Sequence, residues 1–223
     1  MAVDHERLYR QRFADVSQRN RTALWEVLCR VVLQRYVRST DIVLDLGAGF
    51  GEFINTIRCS RKIAVDTNPA VRTRVAADVT TVVGEIPAVL TEIADASVNL
   101  VFCSNLLEHM PDKDAVLAVL GAVRRLLVPS GRLIVIQPNI RYAYKEYWDF
   151  FDHHVALSHA SLSEALQMIG FDIEEVRPRF LPYTTKSRVP QAAWLLRLYL
   201  ALPVAQSMFG KQMMIVARKR VED

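Results

Sequence analysis

The chain has 223 residues, of which 51% are hydrophobic, 23% charged and 9% aromatic, and its formal net charge is +4. This is globular composition with enough chain for one sizeable core, so low-complexity disorder, collagen and disulfide-stapled mini-proteins are excluded. Cys29, Cys59 and Cys103 lie far apart with no Cys-x-x-Cys pair, which leaves a zinc knuckle or thioredoxin-type site unsupported and indicates a reducing compartment.

The start, Met1-Ala-Val-Asp-His-Glu-Arg7, is charged from residue 4 onward and does not read as a secretory signal. The longest apolar stretch, Ala192 to Ala205, is interrupted by Arg197 and Pro203. It falls short of the ~20 residues that cross a bilayer, so a cytoplasmic protein is expected. Charge is uneven along the chain. Residues 1–40 carry eight Arg/Lys against four Asp/Glu, and residues 171–223 nine against five. An acidic centre between basic ends permits an anionic partner without requiring one.

Residues 5–37 lack Gly and Pro and space Leu8, Phe13, Leu24, Leu28, Val31 and Val32 in a helical rhythm, which predicts an N-terminal helical extension over 1–40. Ile42 to Leu46 is a short apolar strand, followed by the turn Gly47-Ala-Gly-Phe-Gly51 and a helix from Glu52 to Cys59. Lys62 to Asp66 reads as a second strand, Ala76-Ala-Asp78 as the end of a third and Ile86 to Ala94 as a helix. Val98 to Cys103 is a fourth strand, Asp114 to Val128 a helix, and Arg132 to Ile136 a fifth strand. Strands alternating with helices predict a doubly wound α/β sheet with its ligand site at the strand C-termini. Asn139 to His159, rich in aromatics and histidine, reads as a lid (139–160) over that site. Ser161 to Ile169 is predicted as a helix, with Ser161 as N-cap, Glu164 at N3 and Gly170 as its stop. Phe171 to Phe180 and Gln212 to Arg218 read as an antiparallel pair around an insert, 181–211.

A glycine turn after a first strand lets a ligand approach the backbone and the free N–H groups of a helix N-terminus. The spacing Gly47, Gly49, Gly51 lacks the third glycine of the dinucleotide fingerprint, and Glu52 would repel a pyrophosphate. Val43-Leu-Asp-Leu-Gly-Ala-Gly-Phe-Gly51 resembles motif I of the class I S-adenosylmethionine-dependent methyltransferases. Ala64-Val-Asp66, Ala77-Asp78, Asn99 to Asp112 and Leu126 to Leu133 resemble their later motifs in order. The resemblance covers roughly residues 40–180. It implies a seven-stranded Rossmann-like methyltransferase fold with the last strand antiparallel, S-adenosylmethionine as cofactor and S-adenosylhomocysteine as product. It also implies that Gly47, Ala48, Gly49 and Gly51 admit the methionine part and that Asp45 attracts its ammonium group. Asp66, with Thr67 beside it, would accept the ribose hydroxyls. Asp78 would accept from the adenine amino group while Val79 packs on the ring, and Ser104 and Asn105 would lie beside the methyl group.

Methyl transfer from a sulfonium chiefly requires alignment, and a base is needed only for a protonated acceptor. The candidates are His109, in Leu107-Glu-His-Met-Pro-Asp112, and His153 and His154, which come after the aromatic stretch Tyr142 to Phe151. Glu-His at this place is common in the family, so a structural role for His109 is an equal alternative. Some related enzymes acting on small-RNA termini or ubiquinone precursors hold a divalent metal with Glu-x-x-Glu-His. Here Asn105 stands at the first glutamate position, and no metal is expected. O-methylation of a small-molecule or sugar hydroxyl in a glycan or natural-product pathway is therefore expected. RNA or tRNA methylation, or an inactive cofactor-binding partner subunit, are the alternatives. In the insert, a helix from Pro190 to Leu202 either packs on the domain or a second copy, as in a homodimer, or meets a lipid-linked acceptor or membrane surface across 190–205.

Overall fold

The computed structural model describes residues 18–183 and 192–221. Leu8, Phe13 and the helix start at Pro190 lie outside the described residues, as does the segment 184–191 of the insert. Seven strands form one sheet in the order β3-β2-β1-β4-β5-β7-β6. They are β1 (Ile42–Leu46), β2 (Arg61–Asp66), β3 (Val79–Val83), β4 (Val98–Ser104), β5 (Leu127–Pro138), β6 (Phe171–Leu181) and β7 (Gln212–Lys219). Strands β1 to β5 pair in parallel, and β7 runs antiparallel between β5 and β6. This is the expected doubly wound sheet with its last strand reversed.

The described α-helices are α1 (Gln18–Val31), α2 (Glu52–Thr56), α3 (Val71–Arg74), α4 (Lys113–Leu126), α5 (Ile140–Ala143), α6 (His159–Met168), α7 (Ala193–Ala201) and α8 (Pro203–Phe209). The central strands alternate their side chains between two cores. Leu44, Leu46, Val101, Cys103, Leu133 and Val135 face a core shared with Val116, Leu120 and Val123 of α4 and with Leu162 and Leu166 of α6. Val43, Leu100, Phe102, Ile134 and Ile136 face the other, shared with Leu28, Cys29 and Leu33 of the N-terminal region and with Phe53 and Ile54. Phe102 stacks on Phe53 and takes the edge of Trp25. The described part of the N-terminal extension is thus built into the domain core.

Several boundaries differ from the sequence reading. Helix α6 begins three residues early, because Ser158 is its N-cap and shares a reciprocal capping box with Ser161 at N3. Its stop is Gly170, at φ +89°. Between β3 and β4 only a short 3-10 turn, Ala88–Glu92, replaces the predicted helix. The insert helix stops at Ala201 and restarts at Pro203, as proline at the first helical position allows.

Candidate functional site

The site grows from the carboxyl ends of β1, β2 and β4, which stop level with one another: Leu46 lies opposite Val65 and Cys103. Gly47 and Ala48 both donate their N–H groups to Val65 O, at 2.9 and 3.1 Å. Asp66 organises the same turn, accepting from the Gly49 N–H at 2.7 Å and the Asn68 N–H at 2.8 Å. Gly51, at φ +75°, is the left-handed residue before α2, and a Cβ there would lie 2.9 Å from Val75 Cγ1. Only glycine meets both demands. Thr67, next to Asp66, is exposed at the rim.

Two arginines that sequence reasoning missed brace this turn. The guanidinium groups of Arg21 and Arg74 lie 4.2 and 4.5 Å from the centre of the Phe50 ring. Arg74 also donates to Gly49 O at 3.2 Å, and Arg21 pairs with Glu52 at 3.2 Å. The Phe50 contacts join residues distant in sequence and carry no local motif.

Electrostatically the turn is acidic. Burial pushes the Asp45 carboxyl well above its ordinary range, the charges of Asp66 and Glu52 push it further, and a hydrogen bond from the Ile54 backbone opposes them. Glu52 is also raised, first by burial, with Arg21 and Arg74 pulling the other way. Three neighbouring carboxylates around an open glycine turn suit a ligand that brings positive charge and hydroxyl donors. S-adenosylmethionine, with its sulfonium, ammonium and ribose, meets that requirement.

The register moves two expected residues away from this place. Strand β3 pairs Val79 with Lys62 and Val83 with Asp66. Asp78 and Val79 therefore mark the start of β3, and four residue steps, about 13 Å, separate Val79 from the level of Asp66. Asp78 is exposed and pairs with Lys62 at 3.5 Å on that far edge. The β-branched run Val79-Thr-Thr-Val-Val83 forms the third strand, which the sequence reading had placed before Asp78. Its carboxyl end leads into Gly84 and Glu85, and Gly84 N–H donates to Asp66 O at 3.1 Å. Gly84-Glu85 after a β-branched run was the available signal for this edge of the site. Ser104 ends β4. Asn105 comes next at φ +49°, with its N–H on Ile136 O at 2.9 Å and its side-chain oxygen accepting from Gln212 at 3.3 Å.

The histidines lie beside that tip. The N–H groups of His154 and Val155 both donate to Glu108 O, at 2.8 and 3.2 Å, which fastens the segment expected as a lid to the turn after β4. His153 is buried there, stacked on Phe150 and 5.0 Å, ring centre to ring centre, from His109. His154 is exposed, so it does not join the cluster. His109 Nδ1 lies 2.9 Å from the Asp152 carbonyl oxygen and 3.3 Å from its Oδ2. A carbonyl only accepts, so Nδ1 carries the proton and Nε2 the lone pair. Glu108 is buried, and its charge adds to burial in pushing the Tyr147 hydroxyl up. Glu108, His109 and His153 each offer one ligand atom within 4.8 Å of the others. The sequence reading expected no metal because of Asn105. The fold nevertheless gathers an oxygen and two nitrogen donors, the chemistry of a divalent-cation site as well as of proton transfer.

Residues 44–135 match the family model described as a methyltransferase domain. A protein of Aspergillus luteorubrus named as the methyltransferase ltbC is 32% identical over 114 residues, 44% of this chain and 40% of that protein. The uncharacterised protein MJ0638 of Methanocaldococcus jannaschii is 30% identical over 131 residues, 57% of this chain and 56% of that one. The matches thus span about half the length of these relatives. Among solved structures, an S-adenosylmethionine-dependent methyltransferase from Archaeoglobus fulgidus superposes with a TM-score of 0.67 at 20% identity, over 97% of this chain and all of that one. A Haloferax volcanii methyltransferase, in complex with the Trm112 methyltransferase activator, gives 0.66 at 19% identity over 96% and 98% of the two chains. At that identity the two structures share the fold.

Proposed function

We propose that this chain, which matches a methyltransferase domain over residues 44–135 and shares the fold of S-adenosylmethionine-dependent methyltransferases, is itself such an enzyme and methylates a hydroxyl oxygen of a small molecule or sugar in a glycan or natural-product pathway. The observation that carries the hydroxyl is His109, whose Nδ1 is anchored on the Asp152 carbonyl. A hydroxyl must lose its proton as it is methylated, and an imidazole held in one tautomer takes that proton on Nε2.

Bound S-adenosylmethionine supplies a methyl group already activated on a sulfonium. Gly47, Ala48, Gly49 and Gly51 would leave its methionine part room against the backbone, and Asp45 would hold the ammonium group. Asp66 would accept from the ribose hydroxyls through the lone pairs that its turn hydrogen bonds leave. Ser104 and Asn105 would border the reacting end. His153, buried against His109 and Phe150, would fix the lid over the acceptor and exclude water.

Incubation with methyl-labelled S-adenosylmethionine and separate pools of glycans, small metabolites and RNA tests this reading. Label in an ether-type product, lost in His109→Asn, supports it, and label confined to RNA overturns it. RNA or tRNA methylation with a protein activator is the second reading. Two findings favour it: the Haloferax neighbour is complexed with Trm112, and Glu108, His109 and His153 gather into a candidate metal-ligand cluster like that of the small-RNA enzymes.

A further inference from the structure

The methionine part of the cofactor bears two charges on one carbon, an ammonium and a carboxylate. The ammonium falls to Asp45 in the reading above, and the carboxylate has no partner there. Asp45, Glu52 and Asp66 already surround the glycine turn with carboxyl groups. A further carboxylate brought by the ligand therefore needs a cation, and because both charges sit on one carbon that cation must stand beside Asp45. Two guanidinium groups touch the turn, both against the Phe50 ring. Arg74 commits its Nη1 to Gly49 O, the residue whose N–H meets Asp66. Arg21 instead pairs with Glu52, whose charge reaches the Asp45 carboxyl.

The sequence sets Arg21 apart from the other arginines of its helix. Arg21, Trp25 and Leu28 stand at i, i+4 and i+7, one face of α1. Leu28 is buried in the core and Trp25 turns toward Phe102, so this is the inward face. Arg30 lies off it and is exposed. Arg21 heads the inward face with its side chain only 13% exposed. A guanidinium so placed is costly unless negative charge answers it. Glu52 answers it incompletely, because burial keeps the Glu52 carboxyl raised although Arg21 and Arg74 both pull it down. The bond to Glu52 engages Arg21 Nε, at 3.2 Å. A guanidinium is a planar fork of five donors, which lets it serve two carboxylates at once.

We propose that Arg21 holds the carboxylate of the cofactor's methionine part, alongside Glu52, while Asp45 holds the ammonium group on the same carbon. The proposal rests on the S-adenosylmethionine reading and extends it to a residue outside the glycine turn, carried by the N-terminal helix. Helix α1 thereby becomes part of the cofactor site: Trp25 and Leu28 anchor it, and Arg21 supplies the positive charge. The consequence is selectivity for a nucleoside that ends in an amino acid over one that ends in a plain amine.

The test is calorimetric titration of two ligands, S-adenosylhomocysteine and its decarboxylated analogue, which keeps the amine, thioether, ribose and adenine. The proteins are the parent, Arg21→Gln, Arg21→Lys and Arg74→Gln, each checked by melting curve. The parent should prefer S-adenosylhomocysteine over the analogue by about ten- to a hundredfold. Arg21→Gln should lose that preference by weakening S-adenosylhomocysteine alone, with the analogue held within about twofold. Arg21→Lys should restore part of the preference, as a point charge in place of a fork. Arg74→Gln, which releases Gly49 O, should weaken both ligands alike. Equal weakening of both ligands by Arg21→Gln would show a purely structural brace and overturn the proposal. So would an Arg21→Gln variant that keeps the preference, or a parent that binds the two ligands equally. A parent that binds neither ligand would overturn the cofactor reading and this proposal together.

Discussion

Asp45→Asn is expected to make the protein more stable and a worse ligand binder at once. The Asp45 carboxyl is buried, faces the charges of Asp66 and Glu52, and has the Ile54 backbone hydrogen bond as its stabilising partner. Asparagine keeps an oxygen for that bond, and its amide group can donate to a neighbouring carboxylate. Removing an incompletely compensated buried charge is worth about 1–3 kcal/mol. For a chain of this size that raises the melting temperature by about 2–4 °C per kcal/mol. The parent also carries a pH signature. Its folded form holds the Asp45 proton to higher pH than the unfolded chain does, so folding takes up a proton between the ordinary carboxylate range and the raised value. Stability therefore falls as pH rises through that window and is least above it, and the variant lacks this slope. Binding of S-adenosylhomocysteine should weaken about tenfold, the difference between a charge-assisted and a neutral hydrogen bond to its ammonium group. Denaturant titrations across pH, paired with calorimetry, measure both effects. An asparagine variant that is less stable than the parent at mildly alkaline pH, with unchanged affinity, would refute the reasoning.

Three further outcomes rest on particular contacts. Gly51→Ala combines a left-handed backbone with a Cβ 2.9 Å from Val75 Cγ1; a loss of about 2–4 kcal/mol is expected in urea titration. Ser158→Ala removes the capping box of α6, which should cost about 1 kcal/mol, read as a small drop in melting temperature with cofactor affinity intact. His109→Asn keeps a donor for the Asp152 carbonyl but loses the base, so kcat should fall by about 10²–10⁴-fold and its acid-limb pH dependence should vanish, with cofactor affinity unchanged.

The central strands and the glycine turn were legible because each has a local cause, whereas the reversed last strand followed from the family resemblance. Ile42-Val-Leu44 and Leu46 place apolar side chains on both faces, as a strand buried from both sides requires, with Asp45 as the polar exception near its carboxyl end. The glycines after it supply backbone conformations that side chains resist. Asp78 was misplaced because strand direction is a tertiary fact: pairing with β2 shows that Val79–Val83 begins after Asp78 rather than ending before it. The separation of His153 from His154 was equally hidden. It depends on two backbone bonds to Glu108 O, 46 and 47 residues earlier in the chain. Arg21 and Arg74 converge on Phe50 through the fold alone, and no spacing rule connects them.

The most direct test of the account is calorimetric titration of S-adenosylhomocysteine into the protein and into Asp66→Ala, with melting curves to confirm that both are folded. Asp66 accepts from the Gly49 and Asn68 N–H groups and stands where ribose hydroxyls would be held. Saturable binding to the parent and its loss in the folded variant is the predicted result. Equal affinity for both proteins would contradict the placement of the cofactor at this glycine turn.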